Sequence, residues 1–166
     1  MSTTQTTTTQ PTATQTTATQ TPRAQTDTEA IVAVLEEQHA AIAAGDAARA
    51  LATSTPDAVV ASLAPPLLQP VGSHEAAVAA LGDWIASFAA PPRLAHREPA
   101  VHVDGDVAFV HALSSMTGTK GGTFTLWFRS TFGLRRIAGR WLIVHQHESV
   151  PFHMDGSFLA ATGLEP

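Results

Sequence analysis

The sequence predicts an α+β domain, with helices first and an antiparallel sheet after them. Apolar residues recur at helical spacing early in the chain, as in Ile31, Val34, Leu35, Gln38 and Ile42. After Pro91-Pro92 the pattern changes to runs rich in Val, Phe, Thr and Trp, broken by Asp104-Gly105, Gly118–Gly122 and Ala138-Gly139. Helices and strands thus fall in separate blocks, which places the helices on one side of an antiparallel sheet.

In chain order, residues 1–26 are almost entirely Thr, Gln, Ala and Pro and are expected to form a disordered tail. They have no apolar stretch and no basic start, so they do not read as a secretory leader, and a cytoplasmic protein is expected. The folded domain is expected over residues 27–152, with residues 153–166 as a C-terminal extension without clear pattern. Asp27 or Thr28 caps the first helix, Glu29 sits in its first turn, and Gly45 ends it. Asp46 opens a shorter helix through about Ala52. Pro56-Asp57 marks a turn, Ala58–Leu63 reads as a strand ended by Pro65-Pro66, and Leu67–Val71 as a short strand. Ser73 caps a third helix from Glu75 to about Phe88, with Val78, Leu81, Ile85 and Phe88 as its apolar stripe and Trp84 beside it. Strands follow over Leu94–Val103 and Asp106–Thr117, joined by a turn at Asp104-Gly105. Two long strands, about Thr123–Arg136 and Arg140–Val150, close the domain.

The chain has 166 residues, one domain's worth, and an ordered part of roughly 140 residues can bury about two-thirds of its unfolded surface. The net charge of −5, without a basic cluster, argues against nucleic acid as a partner. There is no Cys, which removes disulfide and thiolate chemistry, and no Tyr. No apolar run approaches membrane-spanning length, so no membrane partner is expected.

The last hairpin decides which side chains share a face. A two-residue loop at Ala138-Gly139 needs φ > 0 at both positions, and Ala resists that conformation. A three-residue loop, Ile137-Ala138-Gly139, needs it only at Gly139 and is the expected one. Phe128 then faces Glu148, Ser130 faces Gln146, Phe132 faces Val144 and Leu134 faces Leu142, on a greasy face ending in polar groups. Trp127, Arg129, Thr131, Arg135, Trp141, Ile143, His145 and His147 fall on the opposite face. A slip of one residue would exchange the partners.

Three motifs make the chain resemble the nuclear-transport-factor-2-like superfamily, which includes SnoaL-like polyketide cyclases, ketosteroid isomerases and the calcium/calmodulin-dependent protein kinase II association domain. They are Ala44-Gly45-Asp46, Gly105-Asp106-Val107-Ala108 and the run from Gly139 to Ser149 with Thr131 opposite. The resemblance implies a cone-shaped curved antiparallel sheet wrapped around three N-terminal helices, a cystatin-like roll, with an apolar pocket inside. It also implies a homodimer through the convex sheet face, and it places the histidine-bearing face of the hairpin there. Ketosteroid isomerases use a carboxylate base with a Tyr and a protonated Asp as oxyanion hole. Aligned on Ala44-Gly45-Asp46, the Tyr position falls on Gln38 and the base on Ser62, so steroid isomerisation by that machinery is not expected. Where the kinase association domain carries pocket arginines, this chain has Phe132 and Glu148, which disfavours an anionic ligand.

The candidate catalytic residues are therefore Glu148, at the end of an apolar wall where burial raises a carboxyl pKa, with Gln38 and Gln146 to orient. Ser62, Trp84, Phe88, Phe128, Ser130, Phe132 and Val144 are the candidate substrate-binding residues, around a compact hydrophobic ligand. His145-x-His147 has metal-chelating spacing but no third ligand in the pattern, so no metal and no cofactor are expected. His39 neighbours Gln38 and is expected near the pocket mouth; His96, His102 and His153 carry no pattern. The function expected is acid/base work on a carbonyl compound in secondary metabolism, namely cyclisation, isomerisation, dehydration or hydrolysis. The alternative is a non-catalytic ligand-binding or dimerisation module.

Overall fold

The computed structural model describes residues 22–70 and 72–166, with side chains from Thr26 onward. The tail expected over residues 1–26 lies, through Thr21, outside the described residues. Helices α1 (Pro22–Ala43), α2 (Ala47–Leu51) and α3 (His74–Ala86) accompany strands β1 (Ser54–Ala61), β2 (Arg93–Asp104), β3 (Val107–Thr119), β4 (Thr123–Ile137) and β5 (Arg140–Ser149). The sheet order is β1-β5-β4-β3-β2. All neighbours run antiparallel except β1, which joins β5 in parallel. The fold is α+β as expected, but the sheet is mixed because of that edge strand.

Helix α1 starts at Pro22, whose locked φ suits a first helical turn, and not near Asp27. Asp27 is no cap. Its carboxylate is buried and accepts from Arg136 Nη2 at 2.6 Å and Trp141 Nε1 at 3.4 Å. Arg136 also donates to Asp106 at 3.0 Å and lies 4.5 Å above the Trp141 ring. This network ties the start of α1 to the last hairpin. The far end of α1 closes as expected at Gly45 (φ 76), where Gly45 N–H donates to Ile42 and Asp46 N–H to Ala41. Asp46 then caps α2 by accepting from the Arg49 N–H at 3.0 Å. Ser73 caps α3 in the same way through the Ala76 N–H.

Two apolar clusters follow from these placements. Ile31 and Leu35 of α1 pack on Ala108, Val110, Phe132, Leu134, Trp141 and Ile143 of the sheet. Ala41, Ile42, Ala47, Ala50 and Ile85 join the three helices, with Trp84 and Leu94 against them. Each fully buried Ile, Leu or Phe here contributes about 1.5–3 kcal/mol.

Several local expectations are corrected. Strand β1 starts at Ser54 and runs through Pro56, which an edge strand tolerates. Residues 67–70 form no strand, and Val71 lies outside the described residues. The β2–β3 turn is Gly105-Asp106, since Asp104 pairs with Val107, and φ is positive only at Gly105. The C-terminal extension makes one bridge, Phe152 to Ala160, and buries Ala161.

The last hairpin departs from expectation twice. Its loop has two residues: Ile137 pairs with Arg140, and Ala138 and Gly139 take φ of 48° and 80°. This geometry matches the twist of the strands, and it brings Trp141 and Ile143 into the core where Leu142 and Val144 were expected. A bulge then intervenes. Leu134 pairs with Ile143 but Gly133 pairs with His145, so Val144 is the extra residue. A Cβ on Gly133 would stand 3.3 Å from His145 Cβ and 3.9 Å from Val144 Cγ2, so Val144 leans to the side of His145. Beyond the bulge Phe132 pairs with Gln146 and Ser130 with Glu148. The shorter loop and the bulge each shift the phase by one residue. Gln146 and Glu148 consequently face the helices as expected, while His145 and His147 are exposed on the outer face.

Candidate functional site

The polar interior sits between the two apolar clusters and is built from β2, β3, β4, β5 and α1. Register explains the row. His96 pairs with Ser114 across β2–β3, and Ser130 pairs with Glu148 across β4–β5. Ser114 and Ser130, both buried, join the two halves: the Ser114 hydroxyl donates to Ser130 Oγ at 2.8 Å. His96 Nδ1 lies 2.8 Å from Ser114 Oγ. Helix α1 supplies Gln38 and His39 one step apart. Gln38 Nε2 donates to Gln146 Oε1 at 3.4 Å, and Gln146 Nε2 donates to Glu148 Oε1 at 2.9 Å. The Leu63 backbone N–H also donates to Glu148.

The electrostatics divide this row. Burial pushes the Glu148 carboxyl above the usual carboxylate range, against the hydrogen bonds from Gln146 and Leu63 and the nearby His147. Burial drives His96 down to about 4. Burial, with the facing His96 second, drives His39 down to about 3. Both imidazoles are thus neutral at neutral pH. Their ring centroids stand 4.1 Å apart, and the His96 ring meets the edge of Phe132 at 5.2 Å. A carboxyl with a raised pKa can both accept and return a proton, and a neutral imidazole can accept one or hold a hydroxyl.

The residues singled out from the sequence are only partly assembled here. Glu148, Gln146, Gln38, Ser130, Phe128 and Phe132 share the inward face, with Phe128 and Phe132 fully in the core. Ser62 is held in its own loop, donating to the Ala64 carbonyl and accepting from Gln69 Nε2. Trp84 and Phe88 pack edge to face at 5.1 Å, and Phe88 covers Gly118 beside Phe124. Val144 is the bulge residue. A cavity of about 340 Å³ opens between α1 and β2, lined by Val32, Leu35, Glu36, His39, Leu94, Ala95, His96 and Pro99. None of the residues singled out as catalytic or substrate-binding lines it. His96 was missed because a lone His in a strand carries no motif. Its alternation with Leu94 on the inward side of β2 was the available signal. Among the described residues no group of three His, Asp or Glu is placed to hold a metal. No helix of the described residues is long and apolar enough to cross a membrane.

Comparison with known proteins places this geometry. The model of the SnoaL-like domain family matches residues 31–153. A comparison with curated proteins finds no match. Among solved structures, an NTF2-like protein of unknown function from Pseudomonas putida KT2440 is similar, with 24% identity and a TM-score of 0.74, covering 86% of this chain and 98% of that one. A protein from Xanthomonas campestris, provisionally described as a calcium/calmodulin dependent protein kinase II association domain, has 22% identity and a TM-score of 0.62, over 72% of this chain and 84% of that one. A provisionally described scytalone dehydratase from Novosphingobium aromaticivorans has 13% identity and a TM-score of 0.64, over 75% of this chain and 83% of that one. At these identities the likeness carries the fold.

Proposed function

The chain belongs to the SnoaL-like domain family, and from that premise we propose that it is a cofactor-independent acid/base enzyme acting on a compact, mainly apolar carbonyl compound. Dehydration of a β-hydroxy ketone is the reaction that fits best. Glu148, as carboxylate, removes the proton α to the carbonyl. The same group, now a carboxylic acid, returns a proton to the β-hydroxyl, which leaves as water while the carbon–carbon double bond forms. Gln146, held by Gln38, orients the carboxylate. The single observation that carries the reading is Glu148 itself, a carboxyl raised by burial and hydrogen-bonded on the inward face beside the apolar wall of Phe128 and Phe132. The similarity in fold to a provisionally described scytalone dehydratase agrees with it.

The test is exchange of α-protons of cyclic β-hydroxy ketones in heavy water, followed by NMR. Glu148→Gln should reduce exchange by about a hundredfold or more while the fold is kept. Exchange undiminished in that variant would reject Glu148 as the proton-transfer group. A second reading, a non-catalytic ligand-binding module, is favoured by one observation: the α1–β2 cavity is lined by none of the proposed catalytic residues. In either reading the outer sheet face, with exposed Val59, Val107 and Phe109, is proposed to meet a second copy of the chain.

A further inference from the structure

The chain carries 14 acidic against 9 basic side chains, yet the strand registers gather positive charge on the outer face of the sheet. Outward residues pair in rows. Arg97 pairs with Leu113 and Leu113 with Arg129; Arg93 pairs with Thr117 and Thr117 with Thr125; Val107 pairs with Arg135. His102, His111, His145 and His147 stand on the same face. In these paired rows Asp104, opposite Val107 at the far end, is the one carboxylate. Arg93, Arg97 and Arg129 are exposed, and none makes an ion pair or a side-chain hydrogen bond among the described residues. Glu98, beside Arg97 in the β2 bulge, is exposed and makes no ion pair either.

The spacing and chemistry of these arginines define what would satisfy them. Arg93 and Arg97 lie about 13 Å apart along β2, and Arg97 and Arg129 about 10 Å apart across two strand spacings. Ser115, Thr117 and Thr125 add hydroxyls between them. In an extended polypeptide the side chains of one face recur every two residues, so carboxylates at i and i+4 span the same roughly 13 Å. A guanidinium holds a carboxylate through two parallel hydrogen bonds. The surface is an open sheet face without the walls of a small-ligand site. Its one aromatic side chain, Trp127, is half-buried, so it gives nucleic-acid bases no exposed platform for stacking. We propose that the end of the outer face bearing Arg93, Arg97 and Arg129 docks an extended acidic segment of a partner protein, with alternate Glu or Asp side chains on the arginines. The second-copy contact proposed at Val59, Val107 and Phe109 lies toward the other end of the face. The docking does not depend on the role of Glu148.

The test uses the whole chain with a fluorescent peptide of alternating Glu and Thr, its counterpart of alternating Gln and Thr, and an oligothymidylate, by fluorescence anisotropy at low salt. The Glu peptide should bind about tenfold or more tighter than the Gln peptide, and raising salt from about 0.05 M to about 0.5 M should remove most of that difference. Arg97→Gln/Arg129→Gln should weaken the Glu peptide by about tenfold, with the fold checked by circular dichroism. Arg140→Gln, at the hairpin turn, should leave its affinity unchanged. Absence of binding, equal binding of the two peptides, an unchanged affinity in the double variant, an equal loss in Arg140→Gln, or tighter binding of the oligothymidylate would overturn the proposal.

Discussion

Protonation of the buried histidine pair gives the sharpest quantitative test of the interior. His39 and His96 have folded-state values of about 3 and about 4, both below the ordinary 6.5, because burial disfavours their charged forms. The unfolded chain therefore binds protons that the folded chain refuses. Stability from this source is intact above 6.5 and falls as pH drops toward the folded values. Once pH is below about 6, each such histidine removes about 1.4 kcal/mol per pH unit. Between about pH 7 and about pH 5 the loss is about 2 kcal/mol per ring, about 4 kcal/mol for the pair. At that pH the figure is nearly independent of the folded values, since both lie well below 5. Glu148 works in the opposite direction: its raised pKa makes the folded state the better proton acceptor, so its penalty eases as pH falls. That contribution is common to wild type and variants and cancels in their difference. The measurement is urea unfolding at both pH values for wild type and for His39→Gln/His96→Gln. The double variant should lose about 4 kcal/mol less on acidification, a large share of the 5–15 kcal/mol typical of a domain. Equal losses in the two proteins would mean that the rings are solvated, and the polar interior described above would be wrong.

Two further outcomes follow from the backbone and the outer face. Ala138 holds φ of 48° in a two-residue loop, so Ala138→Asn, which favours that conformation, should raise stability by about 0.5–1 kcal/mol in thermal or urea unfolding; a loss of stability would count against the loop geometry. Phe109→Glu tests the proposed outer-face interface: light scattering after gel filtration should give two chains for the wild type and one for the variant, and a single-chain wild type or a two-chain variant would reject that interface.

The sequence by itself determined the class of fold and most of its elements, because those depend on local signals. The stripe from Ile31 to Ile42, the Gly45-Asp46 junction and the Ser73 cap are all read within a few residues of where they act. The facing of Gln146 and Glu148 was also legible, though by a route that differs from the real one. Turn chemistry favoured a three-residue loop, since Ala resists positive φ. The tertiary structure imposed two residues, because that loop places Trp141 against Asp27 and Arg136 and Ile143 in the core. A bulge at Val144 then restored the phase. Nothing local announces that bulge; it depends on which strands Gly133 and His145 must bridge. The same limit hid His96. Its meaning comes from Ser114, Ser130 and His39, three residues brought to one place by two strand registers and a helix, and distance along the chain carries no trace of that meeting.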